Sequence, residues 1–157
     1  MKLMMVESRY KGKIDLSNLD AGKLPKTLGL ATTVQFLDYI DEIKKCLQDK
    51  GKIIFIDKLR QKYEGQLLGC DVGGADKIKD KVDAFLYIGT GKFHPLGIAL
   101  SIDKEVYCYD PLSAMMSKID RNEVDRYNKK RKAAYVKFLH STEIGALVSL
   151  KPGQNNF

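Results

Sequence analysis

Residues 84–97 read AFLYIGTGKFHPLG. Ala84–Ile88 is apolar at every position, rich in aromatic and branched side chains, and cut off by Gly-Thr-Gly. That pattern predicts a short strand buried on both faces rather than the alternating strand of a half-exposed sheet. Proline is accepted in the first helical turn, so Pro95 predicts a helix opening there and running over Leu96–Ile102. Strand, glycine turn and helix in succession is the unit of an α/β fold.

The same unit recurs on both sides. LGLATT at Leu28–Thr33 predicts a strand, with Thr32 or Thr33 as helix cap. A helix over Gln35–Lys50 follows, its Phe36, Ile40, Ile43 and Leu47 falling on one face, and Gly51 supplies its stop. Lys52–Asp57 carries IIFI, read as a strand covered on both faces. Leu67–Leu68 is a shorter apolar segment leading into Cys70, and a helix is expected over Gly74–Lys81. Glu105–Tyr109 predicts a strand, stopped by Asp110–Pro111. A long helix over Asp120–Leu139 would turn Val124, Tyr127, Ala134 and Phe138 to one side. Ala146–Leu150 predicts a last strand, and Leu3–Glu7 a short first one. Strands alternating with helices give an α/β domain with a mainly parallel sheet flanked by helices.

Composition bounds the function. The chain has 157 residues, 44% hydrophobic and 30% charged, enough for one domain with a core and not the composition of a disordered chain. No apolar run approaches membrane-spanning length, and MKLMMVESRYKGK lacks the apolar core of a signal peptide, so a cytoplasmic protein with no membrane partner is expected. The net charge of +7 favours an anionic partner without specifying one. RYNKKRK at Arg126–Lys132 reads first as a solvated helix face and second as a surface for RNA or an acidic protein. Three cysteines, Cys46, Cys70 and Cys108, are too few and too widely spaced for a disulfide framework.

In a parallel sheet, ligands sit beyond the carboxyl ends of the strands. Thr32–Gln35, Cys70, Gly89–His94 and Asp110 all follow expected strands. Cys70, bracketed by Gly69 and Gly73–Gly74, reads either as a small buried residue or as a metal ligand or nucleophile. Cys46, beside the apolar stripe of its helix, and Cys108, within EVYCY, read as structural. Gly89, Gly91 and Lys92 could present N–H groups and charge to an anion, but Phe93 stands where a phosphate loop needs a hydroxyl. His94 reads as a donor, a base or a loop residue. Asp110 reads as a ligand for an amine or hydroxyl, or as the first residue of an Asp-Pro turn. His140, near a helix end, reads as structural. LGLATTVQ, ending at Gln35, is weakly similar to GALVSLKPGQ, ending at Gln154, as though a second unit opened there.

Taken together, TTVQFLDYIDEIKKCL, EGQLLGCD, DAFLYIGTGKFHPLGIAL and GALVSLKPGQ resemble the archaeal diphthamide synthase (Dph2) family, in the family's order and over nearly the whole chain. The resemblance implies a homodimer of chains with three similar α/β domains, each domain giving one cysteine to a [4Fe-4S] cluster. It implies transfer of a 3-amino-3-carboxypropyl group from S-adenosylmethionine to a histidine of translation elongation factor 2. It implies that Cys70 is the middle domain's cluster ligand and that Gln35, Gly89, Gly91, His94 and Gln154 lie near the cofactor; Asp110 joins them as a cofactor-binding candidate from its place at a strand end. The first and third cluster cysteines have no counterpart in this chain. The expected organisation is a remnant of the preceding domain and linker over 1–27, a central domain over 28–118, and a long helix with the first strand of a truncated domain over 119–157. The chain is then expected to be inactive alone and to need complementary domains of the same family or a second copy. The alternative expectation is a catalytically inactive module of the same fold that binds a nucleotide or RNA.

Overall fold

The computed structural model describes residue 4, residues 6–69 and residues 71–147. The chain divides into two compact units at Val124, residues 1–124 and 125–157.

The first unit is built on a five-stranded sheet in the order β2-β1-β3-β4-β5. β1 (Thr27–Thr32), β2 (Ile53–Phe55), β3 (Ala84–Ile88) and β4 (Glu105–Asp110) are parallel, and β5 (Met115–Lys118) returns antiparallel to β4. This is the α/β architecture expected from the sequence. The chain leaves β1 for β2 on one side and then crosses back to place β3 on the other, so the topology switches between β1 and β3.

The central strands sort their side chains by alternation. Leu28, Leu30, Ala84, Leu86, Ile88 and Tyr109 join one hydrophobic layer, which takes Phe36, Ile43 and Leu47 from the first crossover and Leu19, Ala21 and Leu24 from the segment before β1. Ala31, Phe85, Tyr87, Val106 and Cys108 join the other. That layer is covered by α2 (Gly73–Ile78) and α3 (Phe93–Ser101) through Ala75, Ile78, Leu96, Ile98 and Ala99. All five residues of β3 are buried, as its unbroken apolar run requires.

Several boundaries move for identifiable reasons. The helix expected over Gln35–Lys50 begins as a 3-10 turn, Val34–Tyr39, and becomes α1 only at Ile40–Asp49. Its tighter winding buries the consecutive Phe36 and Leu37 together. Gly51 follows α1 at φ +77°, the left-handed stop expected of it. α3 starts at Phe93, so Pro95 is its third residue, still within the turn where no N–H is needed. The IIFI run is an edge strand of three residues with only Ile54 buried, not a strand covered on both faces. β5 was not anticipated. Its four residues include none that is buried, so it has no apolar signature and is held by the ladder to β4.

α4 (Arg121–Leu139) is capped by Asp120, whose Oδ1 accepts from Asn122 N at 2.9 Å. Of the four residues expected to line one side, only Val124, in the first unit, is buried. Tyr127, Ala134 and Phe138 are exposed. The described part of the second unit is this helix and a following segment without regular structure, which offers them no apolar surface to pack on. Of the expected strand Leu3–Glu7, the described residues Met4, Val6 and Glu7 have no regular structure. Of Ala146–Leu150, Ala146 and Leu147 have none, and the rest lies outside the described residues. No helix among the described residues is long and apolar enough to cross a membrane.

Candidate site at the carboxyl edge of the sheet

The end of β1 is pinned from both sides. Thr32, 1% exposed, donates its hydroxyl to the Ile88 carbonyl of β3 at 2.7 Å. Its own N–H donates to Gly65 O and its carbonyl accepts from Leu67 N, both at 2.8 Å, so residues 65–67 run beside β1 as a short extension of the sheet. Gly65 takes φ +71°, and a Cβ there would lie 2.6 Å from Ile40 Cδ1. Only glycine fits that corner.

A cleft of about 340 Å³ opens above this edge. Thr33, Val34 and Gln35, just past β1, form one wall, and Gln66, Leu67, Leu68 and Gly69 form the other. His94 enters from the first turn of α3 and Ser8 from the segment before β1. The cleft is therefore lined by residues that follow β1, β2 and β3, beside the topological switch point where open parallel sheets hold ligands.

Its polar groups are mostly neutral. The His94 ring stacks on Tyr87 (centroids 6.1 Å, planes 18° apart) and meets Phe93 edge-on at 5.3 Å. Burial pushes its pKa below the ordinary 6.5, so at neutral pH the imidazole is uncharged, one nitrogen donating and the other accepting. Burial also raises Tyr87 to about 12, partly offset by Thr33, so its phenol stays protonated. Thr33 and Ser8 hydroxyls and the Gln35 and Gln66 amides complete the set. Such a lining can hold a ligand through hydrogen bonds, with Val34, Leu67 and Leu68 as its apolar contacts.

Gly89, Gly91 and Asp110 do not line this cleft. Gly89 and Gly91 shape the turn into α3 at φ +151° and +73°. Any side chain on Gly89 would strike the Tyr87 ring, its Cβ lying 2.6 Å from the hydroxyl oxygen. Asp110 ends β4, and its Oδ1 accepts from Leu112 N at 2.9 Å, the turn-forming use of an aspartate before proline. Cys70 and Gln154 lie outside the described residues. Asp71 N donates to Leu68 O at 2.8 Å, and Leu68 and Gly69 line the cleft. Ser8 and Gln66 were missed in the sequence, whereas Thr33 belongs to the Thr32–Gln35 segment expected at the ligand end of the sheet. Nothing but the fold brings residues so far apart together.

The family model for "Putative diphthamide synthesis protein" matches residues 12–157. The chain belongs to the diphthamide synthesis protein family. It is 34% identical over 134 residues to the 2-(3-amino-3-carboxypropyl)histidine synthase of Pyrococcus horikoshii, covering 84% of this chain and 37% of that protein. It is 35% identical over 131 residues to the synthase of the same name from Methanocaldococcus jannaschii, covering 82% of this chain and 32% of that one. Among solved structures, Dph2 from Pyrococcus horikoshii superimposes with a TM-score of 0.76 at 32% identity, covering 89% of this chain and 40% of that chain. A second structure of that protein, with a 4Fe-4S cluster, gives the same TM-score and identity, covering 90% and 43%. The chain thus spans about a third of the length of the curated diphthamide-family relatives it matches.

The described donors do not by themselves fit such a cluster. Among the described residues no group of three or more His, Cys, Asp or Glu could hold a metal ion. Cys108 is buried in β4, where burial pushes its thiol up to about 11 and away from the thiolate form a ligand needs. Cys46 is half-buried on α1, beside Ile43 and Leu47.

Proposed function

We propose that this chain is the cofactor-binding central part of a diphthamide-forming enzyme, with residues 28–118 as its α/β domain. The reaction is transfer of the 3-amino-3-carboxypropyl group of S-adenosylmethionine to a histidine of translation elongation factor 2, in the cytoplasm. Cys70 gives one thiolate to a [4Fe-4S] cluster whose other ligands come from complementary family domains. A second copy of the chain is the other candidate partner. One observation carries this reading. The cleft brings Gln35 and His94 together with Gln66–Gly69, the residues that immediately precede Cys70 in the sequence.

In this reading the chain binds and orients. The Gln35 amide and the neutral His94 imidazole hydrogen-bond the polar end of the methionine moiety. Gly89 and Gly91 allow the backbone before α3 to approach it. Asp110 and Gln154 are assigned to the rim, where they meet the cofactor's remaining polar groups. Val34, Leu67 and Leu68 keep water from the reacting carbon.

The test is anaerobic co-expression with the flanking domains of a family member, followed by iron analysis, visible absorbance and a cofactor-cleavage assay. The expected result is a cluster and cleavage with the intact chain, and loss of both with Cys70→Ala. A cluster of undiminished yield and activity in the Cys70→Ala complex would overturn the assignment. The chain alone is expected to hold little iron.

A second reading rests on α4. Arg126, Lys129, Lys130, Arg131 and Lys132 are all exposed there, as are Tyr127 and Tyr135. Cations interleaved with aromatic rings suit single-stranded RNA. This reading expects RNA affinity that falls steeply with salt and is indifferent to Cys70. Negligible RNA binding at low salt removes it.

A further inference from the structure

The segment before β1 crosses the carboxyl edge of the sheet as a strap. Tyr10 N donates to Gln35 O at 2.8 Å, and Asp15 N donates to Pro111 O at 3.1 Å, just past β4. Between these anchors and the chain start, Ser8 lines the cleft, flanked by Glu7 and Arg9.

Those two flanking residues reach opposite walls. Arg9 Nη1 donates to Asp38 Oδ1, in the 3-10 turn that carries Val34 and Gln35. Its Nε and Nη2 donate to Glu7 Oε2 at 3.1 and 2.8 Å, and its guanidinium carbon lies 4.6 Å from the centre of the Tyr63 ring. Glu7 accepts from Lys62 Nζ at 2.8 Å and from the Tyr63 hydroxyl at 3.0 and 3.1 Å. Tyr63 N in turn donates to Oε1 of Gln66, which lines the other wall. The contacts run from one wall through Asp38, Arg9, Glu7 and Tyr63 to Gln66.

Arg9 is the interior member of this cluster. Its side chain is 20% exposed, against 76% for Lys11 and 69% for Lys62, which pair with the same two carboxylates from outside. Only a guanidinium has the planar fork to meet two carboxylates and stack on a ring at once; an ammonium does not. Glu7 is held down to about 2, by Lys62 first and Arg9 second, so it stays ionised at any ordinary pH. Glu7–Lys11 also precede the residues that the family model matches.

We infer that Arg9 is a positioning residue that staples the two walls of the cleft together, and that Glu7–Lys11 is a strap whose release opens the site. The inference concerns the cleft of the proposed function, but its test reads backbone opening rather than cofactor chemistry. A failed staple leaves the Cys70 assignment standing, and a failed Cys70 assignment leaves the staple standing.

The experiment is hydrogen–deuterium exchange by mass spectrometry on this chain. Arg9→Ala is expected to speed exchange about tenfold in residues 33–39 and 62–69 together, with 84–88 and 105–109 unchanged. Arg9→Lys, keeping the charge without the fork, recovers only part of the protection. Asp38→Asn opens 33–39 alone, and Tyr63→Leu opens 62–69 alone. A purely structural role predicts a rise everywhere, including β3 and β4. That result, or release of the strap with both walls unchanged, overturns the inference.

Discussion

The two edges of the sheet make an instructive pair. At the carboxyl edge, the chain after β1, β2 and β3 lines a cleft of about 340 Å³ with neutral hydrogen-bonding groups over a shielding apolar wall. At the amino edge lies a larger groove, about 710 Å³, lined by Ser17–Lys23, Lys50 and Lys52. Its lysines are already engaged. Lys50 Nζ donates to Leu19 O at 3.1 Å, Lys52 Nζ donates to Leu24 O, and Lys23 pairs with Asp20 at 3.4 Å. The bigger concavity holds the segment before β1 in place; the smaller one gathers polar side chains from the chain after β1, β2 and β3.

The largest test of this contrast is Gly65→Val. It forces a branched side chain into the left-handed region and against Ile40, so it should destabilise by about 3 kcal/mol in urea denaturation. A loss below about 1 kcal/mol would mean that the corner beside β1 is loose. Next comes Thr32→Val, which keeps the shape but leaves the Ile88 carbonyl without its hydroxyl donor. A loss of about 1–2 kcal/mol is expected by the same method.

A smaller, pH-dependent effect belongs to His94. Its folded pKa lies below 6.5 because burial disfavours the cation. Between that depressed value and 6.5 the unfolded chain binds more protons, so stability falls as pH drops through this window and levels off beneath it. Thermal melts from pH 7.5 to 5 should show that decline, and His94→Gln should make it shallower. An unchanged slope would mean that the imidazole is solvated. The smallest effect is expected at the amino edge. Lys50→Met should change stability by no more than about 0.5 kcal/mol and leave exchange at the cleft walls untouched.

How far the fold was legible depended on burial. β1, β3 and β4 were readable because their apolar runs are buried, and α1 because Ile43 and Leu47 repeat at helical spacing. β5 was not, since Met115–Lys118 buries nothing and exists only by pairing. α4 was readable as a helix but not in its packing. Periodicity tells which side of a helix is apolar, not whether the chain brings anything to cover it. At the site, Gln35 and His94 followed from the rule that strand ends hold ligands. Asp110 obeyed the same rule and went instead to its own turn. Arg9 gave no signal, because its significance comes from a contact across 29 residues of chain, and Ser8 and Gln66 gave none because only the fold brings them to one cleft.

The Tyr109 hydroxyl donates to the Asp15 carbonyl at 2.8 Å, a bond spanning 94 residues. It has a consequence for biosynthesis. A chain emerging from the ribosome cannot close this bond until β4 has been made, so the segment before β1 waits for a strand made about ninety residues later. Loops of that size close slowly compared with local helices. During translation, the apolar residues Leu19, Ala21 and Leu24 therefore wait for their complete hydrophobic layer, leaving the nascent protein most vulnerable to misassociation just before β4 is added.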